Sequence, residues 1–367
     1  MTSYRVGIVG LSWISADPAA AASHPVLGLA TPYSHASAYA AVSSASVVAG
    51  CDINPDTTRS FAEEWAKTWP ELRTYANYRE MLAAAQLDVL TVATPDHLHA
   101  SVVIAAAEAG VRAIFAEKPL ATNLADADAL IDAVRRHGVV VNVNHTRRWM
   151  PSYVAARECV RTGEIGGLVQ VTIHYGGSRA MLWRNQSHFL DLICYFAEDD
   201  PAWVMAELEP GFEAYGTEYR GDGGRNPDLE PGVNAYVAFD NGVRGFLGGM
   251  KRAVAQVSVD LICERGRIHA DDQGAMLHVS TDAGVVSRPI VPKGSHAGMQ
   301  AAVVDLLTAL ETGRPPQCPP EEARKTVAII EAILLSQASG NARVPVAAAP
   351  TQAAAAATPF VDAARSP

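Results

Sequence analysis

Lys118 stands in Ala116-Glu117-Lys118-Pro119, directly after the apolar run Val111 to Phe115, at what reads as the carboxyl end of a strand. In open parallel sheets that edge is where ligands bind. A lysine ammonium held in an apolar setting loses its proton more easily than a free one, so it can exchange a proton with a substrate oxygen. The plain alternative is a solvated Lys-Pro turn. In both readings Pro119 fixes φ and keeps the strand from continuing.

Three further groups have residue types suited to a dinucleotide. Gly10-Leu11-Ser12-Trp13-Ile14-Ser15 occupies the place of a G-x-G-x-x-G fingerprint, with only its first glycine present. The first glycine makes the tight turn, the second lets backbone approach a pyrophosphate, and the third allows close packing of helix on strand. Ser12 adds a Cβ where a phosphate would approach, yet its hydroxyl could donate to that phosphate, and Ser15 is small enough for the third place. Gly10, Ser12, Trp13 and Ile14 are therefore candidates for the cofactor loop. Asp52 ends the second apolar run and is either a ribose ligand that repels a 2′-phosphate or the turn aspartate of Asp52-Ile53-Asn54-Pro55. It follows Gly10 at about twice the usual interval of ~20 residues. The excess lies in the Ala- and Pro-rich stretch Ala16 to Ser34, which reads as an inserted loop or short helix. Thr94-Pro95-Asp96-His97-Leu98-His99 follows another strand-like run. His97 and His99 have an H-x-H spacing that could hold a metal. No third ligand accompanies them, so with Thr94, Pro95 and Glu117 they are read as cofactor contacts and no metal is expected.

The elements that must carry these residues alternate strand and helix. Val6–Val9, Ser46–Cys51, Asp88–Ala93, Val111–Phe115 and Val139–Val143 read as strands, separated by helical stretches at 35–44, 57–68, 99–109 and 124–137. Repeated βα units with nearly continuous apolar strands mean a parallel sheet covered on both faces. Every candidate named so far then lies just after a strand.

A chain of 367 residues exceeds what one core usually supports, so two domains are expected. The net charge of −10 argues against nucleic acid and against an anionic membrane surface as partners. No apolar run approaches the length of a membrane span and no leader-like segment opens the chain, which points to the cytoplasm. Cys51, Cys159, Cys194, Cys263 and Cys318 are an odd, scattered set that reads as reduced thiols.

The order glycine turn, Asp52, Thr94-Pro95, Glu117-Lys118-Pro119 and Asn144-His145-Thr146-Arg147-Arg148-Trp149-Met150-Pro151 resembles the Gfo/Idh/MocA oxidoreductases. The likeness continues through Thr162-Gly163-Glu164-Ile165-Gly166, Ser187-His188-Phe189-Leu190-Asp191 and Asp240-Asn241-Gly242-Val243, and so covers most of the chain to about Val346. The resemblance implies an N-terminal Rossmann domain at 1–148 that carries NAD, with NADP left open. It also implies an α/β domain at 149–346 with a large open, mainly antiparallel sheet that faces substrate and a partner copy, giving a homodimer or homotetramer. Segments 169–175, 203–208, 233–239, 243–249 and 257–263 are β-rich as this requires, and Asn241-Gly242 is a hairpin signal. The helix at 321–339 resembles the family's closing helix, and residues 347–367 form an Ala/Pro-rich tail expected to be disordered.

The same resemblance implies hydride transfer at a carbon of a sugar, sugar derivative or cyclitol. Its catalytic roles carry over to Lys118 and to His188, the latter as acid/base or relay, with Asp191 three residues on to orient it. Many members have Asp where this chain has Arg184, which cannot act as a base. Arg184 either binds an acidic group on the substrate or belongs to a variant loop and points elsewhere. Arg147, Arg148, Arg179 and Tyr175 are further candidates for substrate contacts. Two other functions stay open: a redox-neutral NAD-dependent glycosidase or epimerase, and a binding protein whose cofactor site has decayed.

Overall fold

The structure is a computed structural model that describes residues 3–17, 32–216, 219, 226–294 and 297–348. Most of the insertion expected at 16–34 and nearly all of the tail expected from 347 lie outside the described residues.

The first half runs β1 (Tyr4–Val9), α1 (His35–Ala40), β2 (Ala45–Cys51), α2 (Pro55–Trp65), β3 (Arg73–Tyr75), α3 (Tyr78–Ala85), β4 (Val89–Val92), α4 (His99–Glu108), β5 (Ala113–Ala116), α5 (Leu124–His137) and β6 (Val140–Val143). All six strands are parallel, in the order β3-β2-β1-β4-β5-β6. β2, β4 and β5 are buried along nearly their whole length, as strands covered on both faces must be. Helices start where a side chain can satisfy their first amides: Asn54, Asn77 and Asn123 cap α2, α3 and α5. Gly138, at φ 65°, closes α5 in the left-handed conformation. The β3–α3 unit has no counterpart in the sequence reading. β3 is a three-residue edge strand with mostly exposed side chains, so no apolar run marks it.

The second half comprises α6 (Pro151–Arg161), β7 (Leu168–Gly176), α7 (Ser187–Ala197), β8 (Pro201–Leu208), β9 (Val233–Phe239), β10 (Arg244–Met250), β11 (Gln256–Cys263), β12 (Gly266–Ala270), β13 (Ala275–Thr281), β14 (Gly284–Pro289), α8 (Gly298–Thr312), α9 (Pro320–Ala338) and β15 (Val344–Pro345). A nine-stranded sheet runs β14-β13-β12-β11-β7-β10-β9-β8-β15, antiparallel except where β7 meets β10. The Asn241-Gly242 turn joins β9 to β10, with Gly242 at φ 91°. β12 to β14 extend this sheet beyond the strands read from sequence. β14 is exposed at every residue and carries no inward apolar row to betray it.

α7 is buried over nearly its whole length and packs on β7 and β10. α9 lies on β8 and reaches back to α5, where Leu124 N donates to Glu331 Oε1 at 2.8 Å and Arg324 pairs with Asp128. On the sheet's outer face Met205 and Phe246 remain 42% and 36% exposed, and Tyr236 stacks on Phe246. Among the described residues no helix is long and apolar enough to cross a membrane.

Candidate active site

In a doubly wound sheet of this strand order the ligand crevice opens at the carboxyl ends of the strands, where the order reverses between β1 and β4. A cleft of about 700 Å³ opens there, lined by residues that follow β1, β2, β4, β5 and β6 and by residues around the start of α7. Fourteen of the sequence candidates line it: Gly10, Ser12, Trp13, Ile14, Asp52, Thr94, Pro95, Glu117, Lys118, Arg147, Tyr175, Arg179, Arg184 and His188.

Gly10 turns at φ 86°, and a Cβ there would stand 2.3 Å from the Ala93 carbonyl oxygen. Only glycine lets the β1 turn lie this close to the end of β4. Asp52 combines the two readings offered for it. Its Oδ1 accepts from Asn54 N and its Oδ2 from Leu11 N, both at 2.9 Å, so the carboxylate is a turn anchor and still faces the cleft. Trp13 is 56% exposed at the mouth, whereas Ser15 is fully buried with its hydroxyl unpartnered. The first amides of α1 are taken by the loop before it, His35 N donating to Ile14 O and Ala36 N to Ser15 O.

Lys118 is 8% exposed, and its Nζ donates to the Arg184 carbonyl oxygen at 2.6 Å. Burial, then the Arg184 charge, push the ammonium down to about 8 against the pull of Glu117, Asp96 and Glu230. Glu117 beside it behaves oppositely. Burial alone would raise its carboxyl, but His35, Lys118 and Asn144 hold it down to about 2, with His35 Nε2 and Asn144 Nδ2 at 2.9 and 2.6 Å from its Oε1.

His188 stands in the first turn of α7. Burial, followed by the charges of Lys118 and Arg147, pushes its imidazole well below 6.5, so it is neutral near pH 7. Its Nδ1 is buried without a partner, and the His145 ring meets it edge-on at 5.9 Å. Arg147 forms a two-point pair with Asp272 at 3.1 and 2.9 Å and lies over the Phe189 ring.

Four sequence candidates lie elsewhere: His97, His99, Asp191 and Arg148, the last buried against Asp191. His97 is exposed and does not line the cleft. His99 is fully buried beneath the loop, its ring bridging the carbonyl oxygens of Pro119 and Thr94 at 2.7 and 3.0 Å. Asp191 is also fully buried and does not orient His188, because both its oxygens are bound by the guanidinium of Arg148. Arg184 does line the cleft, but its guanidinium turns to Asp96 at 3.6 Å, and Tyr219 donates to the other Asp96 oxygen at 2.9 Å. Among the described residues no cluster of three or more His, Cys, Asp or Glu is placed to hold a metal.

Sequence reasoning did not find His35, Asn144, Asp96, Tyr219 or Glu230 as members of this site. Asn144 and Asp96 follow strands and carried that positional signal. His35, Tyr219 and Glu230 arrive from distant segments and carried none.

Residues 4–145 match the family model described as "Oxidoreductase family, NAD-binding Rossmann fold". The chain is similar to a D-apiose dehydrogenase of Paraburkholderia graminis, 37% identical over 36% of this chain and 34% of that protein. It is also similar to a levoglucosan dehydrogenase of Pseudarthrobacter phenanthrenivorans, 27% identical over 55% of this chain and 58% of that one. The chain thus spans between a third and three fifths of the lengths of these two relatives. In fold it resembles an oxidoreductase domain protein from Kribbella flavida, with a TM-score of 0.75 and 19% identity over 95% of this chain and 100% of the other. Over residues 4–145 the chain matches the Gfo/Idh/MocA oxidoreductase family.

Proposed function

We propose that the protein is an NAD(H)-dependent oxidoreductase moving hydride to or from a carbon of a sugar, sugar derivative or cyclitol. The observation that carries this reading is Lys118, its proton loosened to about 8, on one cleft with Gly10 and Asp52. The cleft suits the cofactor. Gly10 provides the tight turn, and the amide-anchored Asp52 carboxylate keeps lone pairs for two ribose hydroxyls. Ser12, Trp13, Ile14, Thr94, Pro95 and Glu117 would border it. When bound, NAD takes hydride from, or returns it to, the substrate carbon.

The chain's own residues handle the proton. In oxidation the hydroxyl proton passes to Lys118 Nζ as the carbon is oxidised, and in reduction it returns. A proton acceptor works best with a pKa near the operating pH. Lys118 meets that condition better than His188, whose conjugate acid is too strong to keep a proton at neutral pH. His188 instead offers a neutral ring to the substrate oxygen, and Arg147 and Tyr175 border the sugar. The division that fits is 1–148 for cofactor and 149–346 for substrate and assembly.

The testing experiment is a titration of the protein with NADH and NADPH, followed by energy transfer from its six tryptophans. NADH is expected to bind about tenfold or more tightly than NADPH, because a 2′-phosphate would meet the Asp52 carboxylate. Asp52→Asn removes the charge, keeps an oxygen for one of the two amides, and is expected to erase the preference. Binding of neither dinucleotide sinks the proposal; product formation without net change in NADH would point to a redox-neutral enzyme.

The outer face of the nine-stranded sheet, with Met205 and Phe246 exposed beside the half-buried Tyr236, supports self-association through that face. Light scattering should then give a dimer or tetramer mass that Phe246→Arg reduces. The free thiols of all five cysteines suit the reducing cytoplasm, which cell fractionation would check.

A further inference from the structure

Glu230 is a buried carboxylate that the proton and hydride steps leave unused. It lies ahead of β9, is 3% exposed, and meets the start of a π-helical turn at Leu182–Gln186. A helix start cannot satisfy its first amides internally. Here three successive amides are satisfied by two residues. Leu182 N donates to Pro231 O at 2.8 Å, Trp183 N donates to Glu230 Oε1, and Arg184 N donates to the same oxygen at 3.0 Å. Gln186 strengthens the joint by pairing both side-chain atoms with the Val233 backbone at 2.9 and 2.8 Å.

On the other side of the same Arg184 Cα, its carbonyl oxygen receives Lys118 Nζ. A two-bond chain therefore runs from the Glu230 carboxylate through one residue's backbone to the lysine. Capping amides does not require a charge, since a glutamine carbonyl would serve as well. Yet Glu230 keeps a second oxygen, Oε2, buried without a partner, an arrangement that costs stability.

We infer that Glu230 is the positioning residue for Lys118: it anchors the Arg184 backbone whose carbonyl holds the ammonium, and adds its own charge to the field around that ammonium. Lys118 faces Arg184, Glu117, Asp96 and Glu230, with His145 and His188 beyond. Burial and then Arg184 drive the proton off, and the three carboxylates hold it on. Glu230 itself faces Lys118, Asp96 and Tyr219, and burial lifts its carboxyl to about 7 against the two amides. It is thus about half ionised near pH 7 and mostly ionised at the Lys118 midpoint. Removing its charge must lower the Lys118 midpoint.

The inference rests on the role proposed for Lys118, but its test needs neither sugar nor dinucleotide, so the two readings can fail separately. The whole protein is labelled with acetic anhydride across pH, and acetylation of Lys118 is followed by mass spectrometry. The wild-type midpoint is expected near 8. Glu230→Gln keeps an oxygen for both amides and is expected to lower the midpoint by roughly one pH unit, with the plateau rate unchanged. Glu230→Ala is expected to lower the midpoint and also raise the plateau several-fold, because the carbonyl that restrains Lys118 is released. A purely structural cap would leave the midpoint in place. If Glu230→Ala does not fold, the near-isosteric Gln variant decides: a midpoint at the wild-type value overturns the inference.

Discussion

Lys118→Ala is expected to lower the turnover of sugar oxidation by about 10²–10⁴-fold, the range associated with losing a positioned proton acceptor. NADH affinity should be largely retained, because Gly10 and Asp52 are held by backbone contacts in which Lys118 takes no part. Lys118→Arg separates charge from proton transfer. It keeps a cation in the cleft but cannot release a proton near neutral pH, so it should be nearly as inactive. Near wild-type turnover in the Arg variant would remove Lys118 as proton acceptor. The pH dependence carries the sign of the same argument. Oxidation needs the neutral amine, so its rate should climb about tenfold per pH unit below about 8 and level off above it. Reduction needs the ammonium and should fall above the same value. Neither Glu117 nor His145 offers an alternative: Glu117 is pinned at about 2, and His145 is pushed down to about 4, mainly by burial.

The gathering of Gly10, Asp52, Thr94 and Lys118 on one cleft was legible because these residues sit at fixed places along a repeating pattern. Gly10, Asp52, Thr94 and Lys118 each follow a strand, and parallel βα topology brings all strand ends to one edge. The strands themselves showed as short apolar runs, because burial on both faces leaves little room for polar residues. Where burial was absent, as in β3 and β14, the strand was invisible. Histidine positions misled for a related reason. Spacing placed His97 and His99 on the functional loop, but the turn that precedes α4 points one to solvent and folds the other under Pro119. The opposite wall was only partly legible. Arg184 lies near the start of a helix, yet its environment is set by Glu230, Asp96 and Tyr219, which the chain delivers from far away. Side-chain direction, not helix position, separates Asp191 from His188, and local spacing alone cannot supply it.

Asp191→Asn should cost about 3–5 kcal/mol of stability, because it removes one partner of a buried ion pair and leaves the other charge in place. Arg148 is 2% exposed and Asp191 is fully buried. Their pairing uses Arg148 Nε at 2.9 Å and Nη2 at 2.8 Å, while Nη1 donates to the Gln317 carbonyl at 2.9 Å and Nη2 approaches Glu322 at 3.5 Å. The guanidinium thereby joins the segment after β6 to α7 and to the chain leading into α9. A domain's whole stability is about 5–15 kcal/mol, so the loss should appear as a large drop in the denaturant midpoint. Replacing both charges, as in Arg148→Met with Asp191→Leu, should restore most of it, since a packed apolar pair is often as stable as a buried ionic one. Equal losses in the single and double variants would mean that the shape of the pair, and not its charge balance, holds the junction. The site should register the same break. His188 and Asp191 share α7, and Arg148 follows His145 by three positions, so loosening this pair should shift the two imidazoles against each other. In the single variant turnover should fall before NADH binding does, because the contacts proposed for the dinucleotide lie in the turns after β1 and β2.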